Sequence, residues 1–238
     1  MILSSYEMRA RLSPGLLGIA PVSIAIATLG LGRFPAIALA SGILTAAGGA
    51  YLLSNLVGAA GRRAQDALWA AWGGPPTIRM LRLREPTTNA TRRSKWRDDV
   101  AALTGVALLT EDAEAFDNDS ADEALETAIG GCLYLGHAGD DGHPMVQAEN
   151  AQYGFERNMY GFRWIARLIA TLSLIALAAS FWTPWEVSER AVAVGLIVNS
   201  AFLLMWLVVP SKTRVRQAAD RYAIQLLNAA GSAVRKAT

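Results

Sequence analysis

Four long runs without a charged residue constrain the fold of this 238-residue chain more than any other feature. The runs cover residues 12–32, 34–61, 168–185 and 191–211. A helix needs about 20 mostly apolar residues to cross the hydrocarbon core of a bilayer. Only 18% of all residues are charged, whereas about 25% is usual in soluble proteins. The sequence therefore predicts a multi-pass membrane protein and excludes a soluble globular, a disordered or a disulfide-rich chain.

The positive charges beside the runs predict how the chain is oriented. The turn between the first two runs carries Arg33 alone, whereas nine lysines and arginines flank the other ends of the runs. Because such residues are retained in the cytoplasm, both termini and the middle segment are expected there. The single cysteine, Cys132, fits a reducing compartment. The flanking cations are Arg9, Arg11, Arg62, Arg63, Arg163, Arg167, Lys212, Arg214 and Arg216.

The expected architecture is an all-α membrane protein with four transmembrane helices in two hairpins. A mainly helical cytoplasmic domain lies between spans 2 and 3, and an amphipathic helix follows span 4. The expected boundaries are 1–61 for the first hairpin (spans about 12–32 and 36–61), 62–163 for the domain, 164–211 for the second hairpin (spans about 165–184 and 191–210) and 212–238 for the tail. The first run is longer than the core of a signal peptide, so we expect it to remain as a span.

Several local patterns predict where the cytoplasmic helices begin and end. The second helix should continue past its span to Trp72, because no helix breaker comes before the Gly-Gly-Pro-Pro sequence. Ser120 and Glu123 have the spacing of a capping box and predict a short amphipathic helix that ends near Gly136. From Pro144 the chain is predicted to be helical into span 3. The tail has one apolar face, which could lie on anionic lipid or pack on the domain or on a second subunit.

Small residues recur at every fourth position of the second run and predict close helix packing. Without a hydrophobic driving force between helices in lipid, such a stripe allows the close backbone approach by which spans associate. The partner is either another span of the same chain or a second subunit, so the stripe is a candidate oligomer interface. Its members are Ala38, Gly42, Ala46, Ala50, Ser54 and Gly58.

The sequence contains no recognisable catalytic centre. It has no phosphate-binding loop, no dinucleotide fingerprint and no nucleophile elbow. His137, Asp140, Asp141 and His143 lie close together, but their spacing matches no zinc motif, and we interpret them as a solvated turn. Cys132 is interpreted as a small core residue. We therefore expect no enzymatic activity, no catalytic residue, no metal and no cofactor.

The absence of charge inside the four apolar runs also limits the mechanism. No ionisable residue lies inside the runs, which argues against a carrier with a charged site at the midplane of the membrane. A pore gated by an apolar constriction between subunits needs no such charge, so that mechanism stays open.

The middle segment contains a basic stretch followed by an acidic one. Residues 73–97 carry seven cations against Glu85, and residues 111–126 carry eight acids and no cation. The basic stretch could pair with the acidic stretch or with lipid headgroups, bind a phosphate-bearing small ligand, or form a solvated loop. Direct nucleic-acid binding is not expected, because residues 62–157 contain sixteen acids and ten cations. The seven cations are Arg79, Arg82, Arg84, Arg92, Arg93, Lys95 and Arg97.

A short aromatic repeat precedes span 3. Tyr153-Gly154-Phe155 recurs seven residues later as Tyr160-Gly161-Phe162, which places Tyr153 and Tyr160 on one helix face. These aromatics could stack on a planar ligand beside Arg157, or pack where the helix enters the bilayer. Together with the basic stretch they define the candidate ligand-binding residues, which are Arg79, Arg82, Arg92, Arg93, Tyr153 and Arg157.

Three sequence blocks, WGGPPTIRMLR, TTNATRRSKW and ENAQYGFERNMYGFR, carry a resemblance to a family of proteins. Across residues 69–163 the chain resembles a family of small bacterial inner-membrane proteins with two hairpins of spans around a cytoplasmic segment. The resemblance implies a layout and a bacterial cytoplasmic membrane, and implies no particular activity. In layout the chain is also similar to membrane effectors of bacterial anti-phage systems, whose cytoplasmic part senses a nucleotide signal or a partner.

These observations favour an oligomeric inner-membrane protein whose cytoplasmic domain senses a signal or partner and then perturbs or gates the membrane, as an antiviral effector would. The expected partners are the lipid bilayer, further copies of the chain, and either a nucleotide-type signal molecule or a soluble protein. The alternative is a constitutive scaffold or accessory subunit that recruits a soluble partner protein. An enzyme acting on lipids would need a nucleophile or metal site that the sequence does not show.

Overall fold

The computed structural model describes residues 4–46, 48–85, 88–136, 143–183 and 187–237. Every regular element in these ranges is helical. Three helices are long and apolar enough to cross a membrane, and we number them α1, α8 and α9. The full set is α1 (Ser5–Thr28), α2 (Pro35–Ala46), α3 (Gly49–Trp72), α4 (Pro76–Leu81), α5 (Ala90–Thr104), α6 (Glu111–Phe116), α7 (Asn118–Cys132), α8 (Pro144–Ala179), α9 (Glu189–Val208) and α10 (Lys212–Ala237).

The chain forms two compact units. Unit 1 consists of residues 1–65 and 154–214, and unit 2 consists of residues 66–153 and 215–238. Unit 1 contains all three helices that are long and apolar enough to span a membrane, apart from the first ten residues of α8.

In unit 1, α1 packs against three other helices. Gly18 of α1 faces Phe162 of α8, and a Cβ at Gly18 would lie 2.5 Å from Cε1 of the Phe162 ring. Thr28 lies against Gly195 of α9, and Gly15 lies against Leu53 of α3. The shared core of these helices is built from Val57, Met159, Phe162, Ala166 and Trp206, which are all less than 5% exposed.

The outer surface of this unit is apolar. Leu168, Leu172 and Ile175 of α8 are each more than half exposed, as are Ile197 and Leu204 of α9. Exposed apolar residues in such numbers along helices of this length are typical of a surface that faces lipid. The chain is therefore a membrane protein.

The second apolar run differs from the single helix expected at 36–61. It is divided between α2, which ends at Ala46, and α3, which begins at Gly49. Between them Gly48 has φ of 76°, a left-handed conformation that glycine adopts without strain. With about 1.5 Å of rise per residue, the twelve residues of α2 extend about 18 Å. That is too short to cross a bilayer alone.

Unit 2 has its own hydrophobic core, and the C-terminal helix is part of it. Leu226, Leu227 and Ala230 of α10 are fully buried. They pack in one cluster with Trp96 and Val100 of α5, and with residues 125–132 of α7. Of the alternatives for the tail, the structure therefore shows that α10 packs on the other helices of unit 2.

Three predicted elements are confirmed and one helix start was wrong. Helix α3 continues to Trp72, α8 is unbroken from Pro144, and α7 is followed by a 3-10 turn, Leu133–Gly136. However, α7 begins three residues earlier than the capping box implied, because Asp117 is its N-cap. The Asp117 carboxylate accepts hydrogen bonds from the Ser120 backbone N–H at 3.0 Å and from its hydroxyl at 2.7 Å. Aspartate caps a helix as well as serine does.

Candidate functional site

Arg82 is fully engaged by partners within unit 2. Its Nε and Nη2 donate to the two oxygens of Asp122 at 2.9 and 2.6 Å, which is a bidentate pair. Its Nη1 donates to Glu85 at 2.5 Å and to the Gly73 carbonyl at 2.6 Å. All three guanidinium nitrogens are thus used. Arg82 connects the loop before α4 to α7.

Glu114 is the buried centre of a second cluster of charges. It is only 1% exposed, and its Oε1 accepts hydrogen bonds from the backbone N–H groups of Leu83 and Arg84 at 2.8 and 3.2 Å. The Arg84 side chain donates to the same oxygen at 3.1 Å, and Arg97 lies 3.6 Å from the other oxygen. Arg97 also donates to the carbonyls of Leu81 and Leu109.

Arg79 and Arg93 complete this network around Glu85. Arg79 forms an ion pair of 3.0 Å with the Glu85 carboxylate, and Arg93 donates to the Glu85 carbonyl at 2.9 Å. The basic and acidic stretches therefore pair with each other, which was one of the interpretations left open. The described contacts of the candidate ligand residues Arg79, Arg82 and Arg93 are with residues of the same unit.

Arg92 lies on another face of α5, beside a polar cavity of about 440 Å³. We call this cavity the basic cavity. Three of its lining residues are cations, Arg92, Lys95 and Arg235, and one is an acid, Asp99. Arg235 belongs to α10, so two helices far apart in sequence supply the charge. Lys95 pairs with Asp99 at 2.9 Å, whereas Arg92 and Arg235 have no ion-pair partner within the described residues.

The floor of the basic cavity is held by hydrogen bonds. The Trp96 indole Nε1 donates to Asn228 Oδ1 at 3.0 Å, which joins α5 to α10. The Arg92 guanidinium lies 5.7 Å from the centre of the Trp96 ring, within the range of a cation–π interaction. At the start of α5, the side chain of Asn89 accepts from the Arg92 backbone N–H at 3.3 Å. The cavity thus has a fixed base and cationic walls.

Tyr153 lies at a different place, a largely apolar cavity of about 370 Å³ within unit 2. Its ring stacks against that of Tyr222, with centroids 6.1 Å apart and planes 10° from parallel. Tyr153 is 6% exposed. No lysine, arginine or histidine lines this cavity among the described residues.

Arg157 belongs to unit 1, where it holds α8 to α3. Its Nη1 donates to Gln65 Oε1 at 2.7 Å, and its Nε lies 3.4 Å from Asn158 Oδ1. Arg157 is 9% exposed. The six candidate ligand residues are therefore distributed over four local environments. Among the described residues, Arg92 and Arg93 have no ion pair, and they line separate cavities.

The small-residue stripe is divided by the break at Gly48. Ser54 and Gly58 of α3 are buried, and a Cβ at Gly58 would lie 3.4 Å from Arg11 of α1. Ala38 and Gly42 of α2 are exposed, and a Cβ at Gly42 would meet nothing within 4 Å. Ala50 is exposed as well, and nothing is described of the Ala46 side chain. Ser54 and Gly58 thus pack within the chain, whereas Ala38, Gly42 and Ala50 are open.

The histidine-rich turn lies mostly outside the described residues, because residues 137–142 are not among them. Cys132 is fully buried in the core of unit 2, and burial raises the pKa of its thiol to about 11. A thiol that is protonated at neutral pH and inaccessible is a poor nucleophile.

No protein-family model matches the chain, and neither a curated protein nor a solved structure is significantly similar to it.

Of the residues that line the basic cavity, sequence reasoning named only Arg92 as a candidate, and it missed both residues that α10 contributes, Asn228 and Arg235. Asn228 bonds to Trp96 across 132 positions of sequence. The sequence indicates that α10 is amphipathic, but it carries no local signal for the helix on which it packs. The sequence places Lys95 among the cations of the basic stretch, but it does not indicate that Lys95 lines the basic cavity.

Proposed function

We propose that this protein is a membrane receptor whose unit 2 binds a phosphate-bearing anion in the basic cavity and transmits that binding to its membrane helices. The observation that carries the proposal is the unbalanced charge of the cavity, three cations against one acid. A volume of about 440 Å³ lies within the range of small-molecule sites. Cationic donors around a cavity suit the oxygens of a phosphate.

The ligand-binding residues that we propose are Arg92, Lys95 and Arg235. Arg79, Arg82 and Arg93 serve to hold the segment in place, because each donates to an acid or a carbonyl of unit 2. Tyr153 and Arg157 are not assigned to this ligand. The proposal therefore retains the nucleotide-type signal predicted from the sequence, but with a smaller and partly different set of residues.

The connection to the membrane lies in α10. This helix provides Arg235 and Asn228, and only three residues separate its start at Lys212 from the end of α9 at Val208. A ligand that binds more tightly to one arrangement of α5 and α10 shifts the population toward that arrangement. We propose that this shift changes how α9 packs in unit 1 and thereby perturbs or gates the membrane.

We propose that the second apolar run also reaches into the bilayer, as two half-helices. Three contacts support a shared cationic end of unit 1. Arg11 lies next to Gly58, Arg214 pairs with Glu156 at 2.6 Å, and Arg167 donates to the Trp206 carbonyl at 3.1 Å. By the positive-inside rule this shared end faces the cytoplasm, together with both termini. A broken helix is tolerated in a membrane where its free backbone groups are covered.

The open face of α2 supports the proposed homo-oligomer. Ala38 and Gly42 present a smooth surface to which no other part of the described chain is packed. Small residues at four-residue spacing allow two spans to approach closely. We propose that copies of the chain meet at this face.

The test uses the full chain in lipid nanodiscs, with inorganic pyrophosphate as the probe. We expect calorimetry to detect binding that weakens as salt is raised. Arg92→Ala and Arg235→Ala should each abolish detectable binding or weaken it roughly tenfold, a loss of 1.4 kcal/mol. Arg63→Ala is the matched control, because Arg63 is an exposed arginine of unit 1. Binding that survives both cavity substitutions would contradict the proposal.

The effect on the membrane is measured separately, with dye-filled vesicles that contain the protein. Pyrophosphate should increase dye release by the parent protein and by Arg63→Ala, and should not do so for Arg92→Ala. Unchanged release, together with a stoichiometric soluble partner on purification, would favour the scaffold alternative. The antiviral role rests on resemblance in layout and is tested by plating phage on bacteria that express the parent or Arg92→Ala. Equal plating on both would contradict it.

A further inference from the structure

The cavity that contains Tyr153, which we call the apolar cavity, has a chemistry unlike that of the basic cavity. It lies within unit 2 and is lined by residues of five helices, including Trp69, Ile129, Tyr153, Tyr222 and Leu226. Among its described lining residues, Glu126 is the one acidic residue, and its side chain is exposed. A volume of about 370 Å³ with few polar groups is typical of sites for small apolar ligands.

Trp69, which lines the apolar cavity, has an unused hydrogen-bond donor. The indole Nε1 of Trp69 is buried and has no acceptor within the described residues. A buried donor without a partner costs about 1–3 kcal/mol of stability. The indole nitrogen can donate but cannot accept. A ligand that offers an acceptor at this point would remove that cost.

Two tyrosine rings of the apolar cavity favour a flat ligand. Tyr153 and Tyr222 both line the cavity, and their rings are within 10° of parallel. Parallel aromatic rings present a planar apolar surface, on which another planar group stacks in an offset arrangement. Because Glu126 is the nearby charge and no cation lines the cavity among the described residues, an anion is disfavoured.

We infer that the apolar cavity binds a neutral, flat, largely apolar small molecule whose hydrogen-bond acceptor pairs with the Trp69 indole N–H. This site is additional to the proposed phosphate site and shares no lining residue with it. Trp69 belongs to α3, Tyr153 to α8 and Tyr222 to α10. Each of these three helices contains residues of unit 1 as well as of unit 2.

The experiment observes the Trp69 indole directly. The full chain is labelled with ¹⁵N-tryptophan in nanodiscs, and the probe is the neutral naphthalene ketone 6-propionyl-2-dimethylaminonaphthalene. The protein has seven tryptophans, and the signal missing from Trp69→Phe identifies Trp69. We expect the ketone to move this signal downfield, because its carbonyl accepts the hydrogen bond. The analogue with a propyl group in place of the propionyl group should move it much less.

Two variants test the assignment. Trp69→Phe keeps an aromatic side chain of smaller size and removes the donor, and should weaken ketone binding roughly three- to tenfold. Ala223→Leu fills the cavity and should abolish the shift of the Trp69 signal. The matched control is Trp72→Phe, because Trp72 lies under Arg216 and does not line the cavity. The signal of Trp164, which is 65% exposed on α8, reports any partition of the ketone into lipid.

The possible results separate this inference from the proposed function. No ketone-dependent change at Trp69, or an equal change with the propyl analogue, would overturn the inference. A change that Ala223→Leu leaves intact would place the ketone elsewhere and would also overturn it, provided that Cys132 remains protected from maleimide in the variant. Neither Trp69→Phe nor Ala223→Leu should alter pyrophosphate binding, so either proposal can fail without the other.

Discussion

The indole Nε1 of Trp206 donates a hydrogen bond of 3.3 Å to the backbone carbonyl of Leu17. In an α-helix this carbonyl would accept from the residue four positions later, which is Pro21 and has no N–H. Trp206 is fully buried on α9, so the bond joins two apolar helices. A proline inside a membrane helix is tolerated when a neighbouring helix supplies the missing donor.

The same relationship recurs two helical turns earlier, at Pro14. The carbonyl four residues before it belongs to Ala10, and it accepts from Asn158 Nδ2 of α8 at 2.6 Å. Here α1 contains a π-helical segment, Met8–Leu12. Both prolines of α1 thus have a polar side chain from another helix at the carbonyl that they leave without a partner.

A double-mutant cycle tests the first of these bonds. Trp206→Phe should lower the free energy of unfolding by about 1 kcal/mol, because the Leu17 carbonyl loses its donor inside the bilayer. In a Pro21→Ala background the helix supplies its own N–H, so the same change should cost about 1 kcal/mol less, and only the cost of the smaller buried ring should remain. The measurement is unfolding in mixed micelles, with the retained aromatic ring preserving the contact to Phe162. Equal costs in both backgrounds would assign the effect to packing alone.

The contact between α3 and α8 predicts that Gly161→Ala destabilises unit 1. A Cβ at Gly161 would lie 2.7 Å from the Gly61 backbone nitrogen and 2.6 Å from the Ala60 carbonyl carbon. Backbone atoms cannot move aside as a flexible side chain can, so the helices must separate, at a cost of about 1–3 kcal/mol. The matched control is Gly130→Ala in α7, where a Cβ meets nothing within 4 Å. That control should stabilise its helix slightly.

How well the sequence predicts a feature depends on how far apart in the sequence the residues that determine it lie. The extension of α3 to Trp72 and the continuity of α8 are local, and periodicity with helix breakers predicts them. The break at Gly48 was missed because an apolar run is recognised by hydropathy, and hydropathy does not report a backbone angle. The pairing of Trp96 with Asn228 depends on two distant helices meeting, which no local pattern indicates.

The candidate site was predicted less well than the fold, for a physical reason. A stretch of arginines predicts that anions will be bound, but not whether they come from a ligand or from the chain. In this protein Asp122 and Glu114 provide most of them, and the separation of Arg92 from its neighbours follows from its position on another face of α5.

Glu114 is expected to be the most sensitive acid of unit 2. Glu114→Gln removes the charge that faces Arg84 and Arg97 in a nearly inaccessible place, and breaking a buried pair costs about 3–5 kcal/mol. The free energy of unfolding of unit 2 should fall by an amount of this order. Glu111→Gln, an exposed change at the start of the same helix, should have almost no effect. Similar losses in the two variants would show that the network contributes little.

Asp122 predicts how stability depends on pH. Burial alone would raise the pKa of this carboxyl, but hydrogen bonds and charges from Arg82 and Arg84 outweigh it and hold the pKa below the ordinary value of 3.8. A depressed folded-state pKa means that the stabilisation is fully present above the ordinary value and is lost as pH falls through the folded value. Unit 2 should therefore lose stability below about pH 4. Thermal melting of Asp122→Asn should show a flatter dependence in that range.

Labelling of Cys132 should report whether the core of unit 2 is intact. The thiol is fully buried, and burial raises its pKa to about 11, so at pH 8 it is both protonated and inaccessible. Maleimide acts on the thiolate and should therefore label the folded protein only through transient opening of the core. Because the chain has one cysteine, labelling followed by mass spectrometry reports this site alone. Glu114→Gln should increase the labelling rate several-fold or more, whereas Trp206→Phe, a change in unit 1, should leave it unchanged. Rapid labelling of the parent protein at pH 8 would contradict the buried position of α7 in the core.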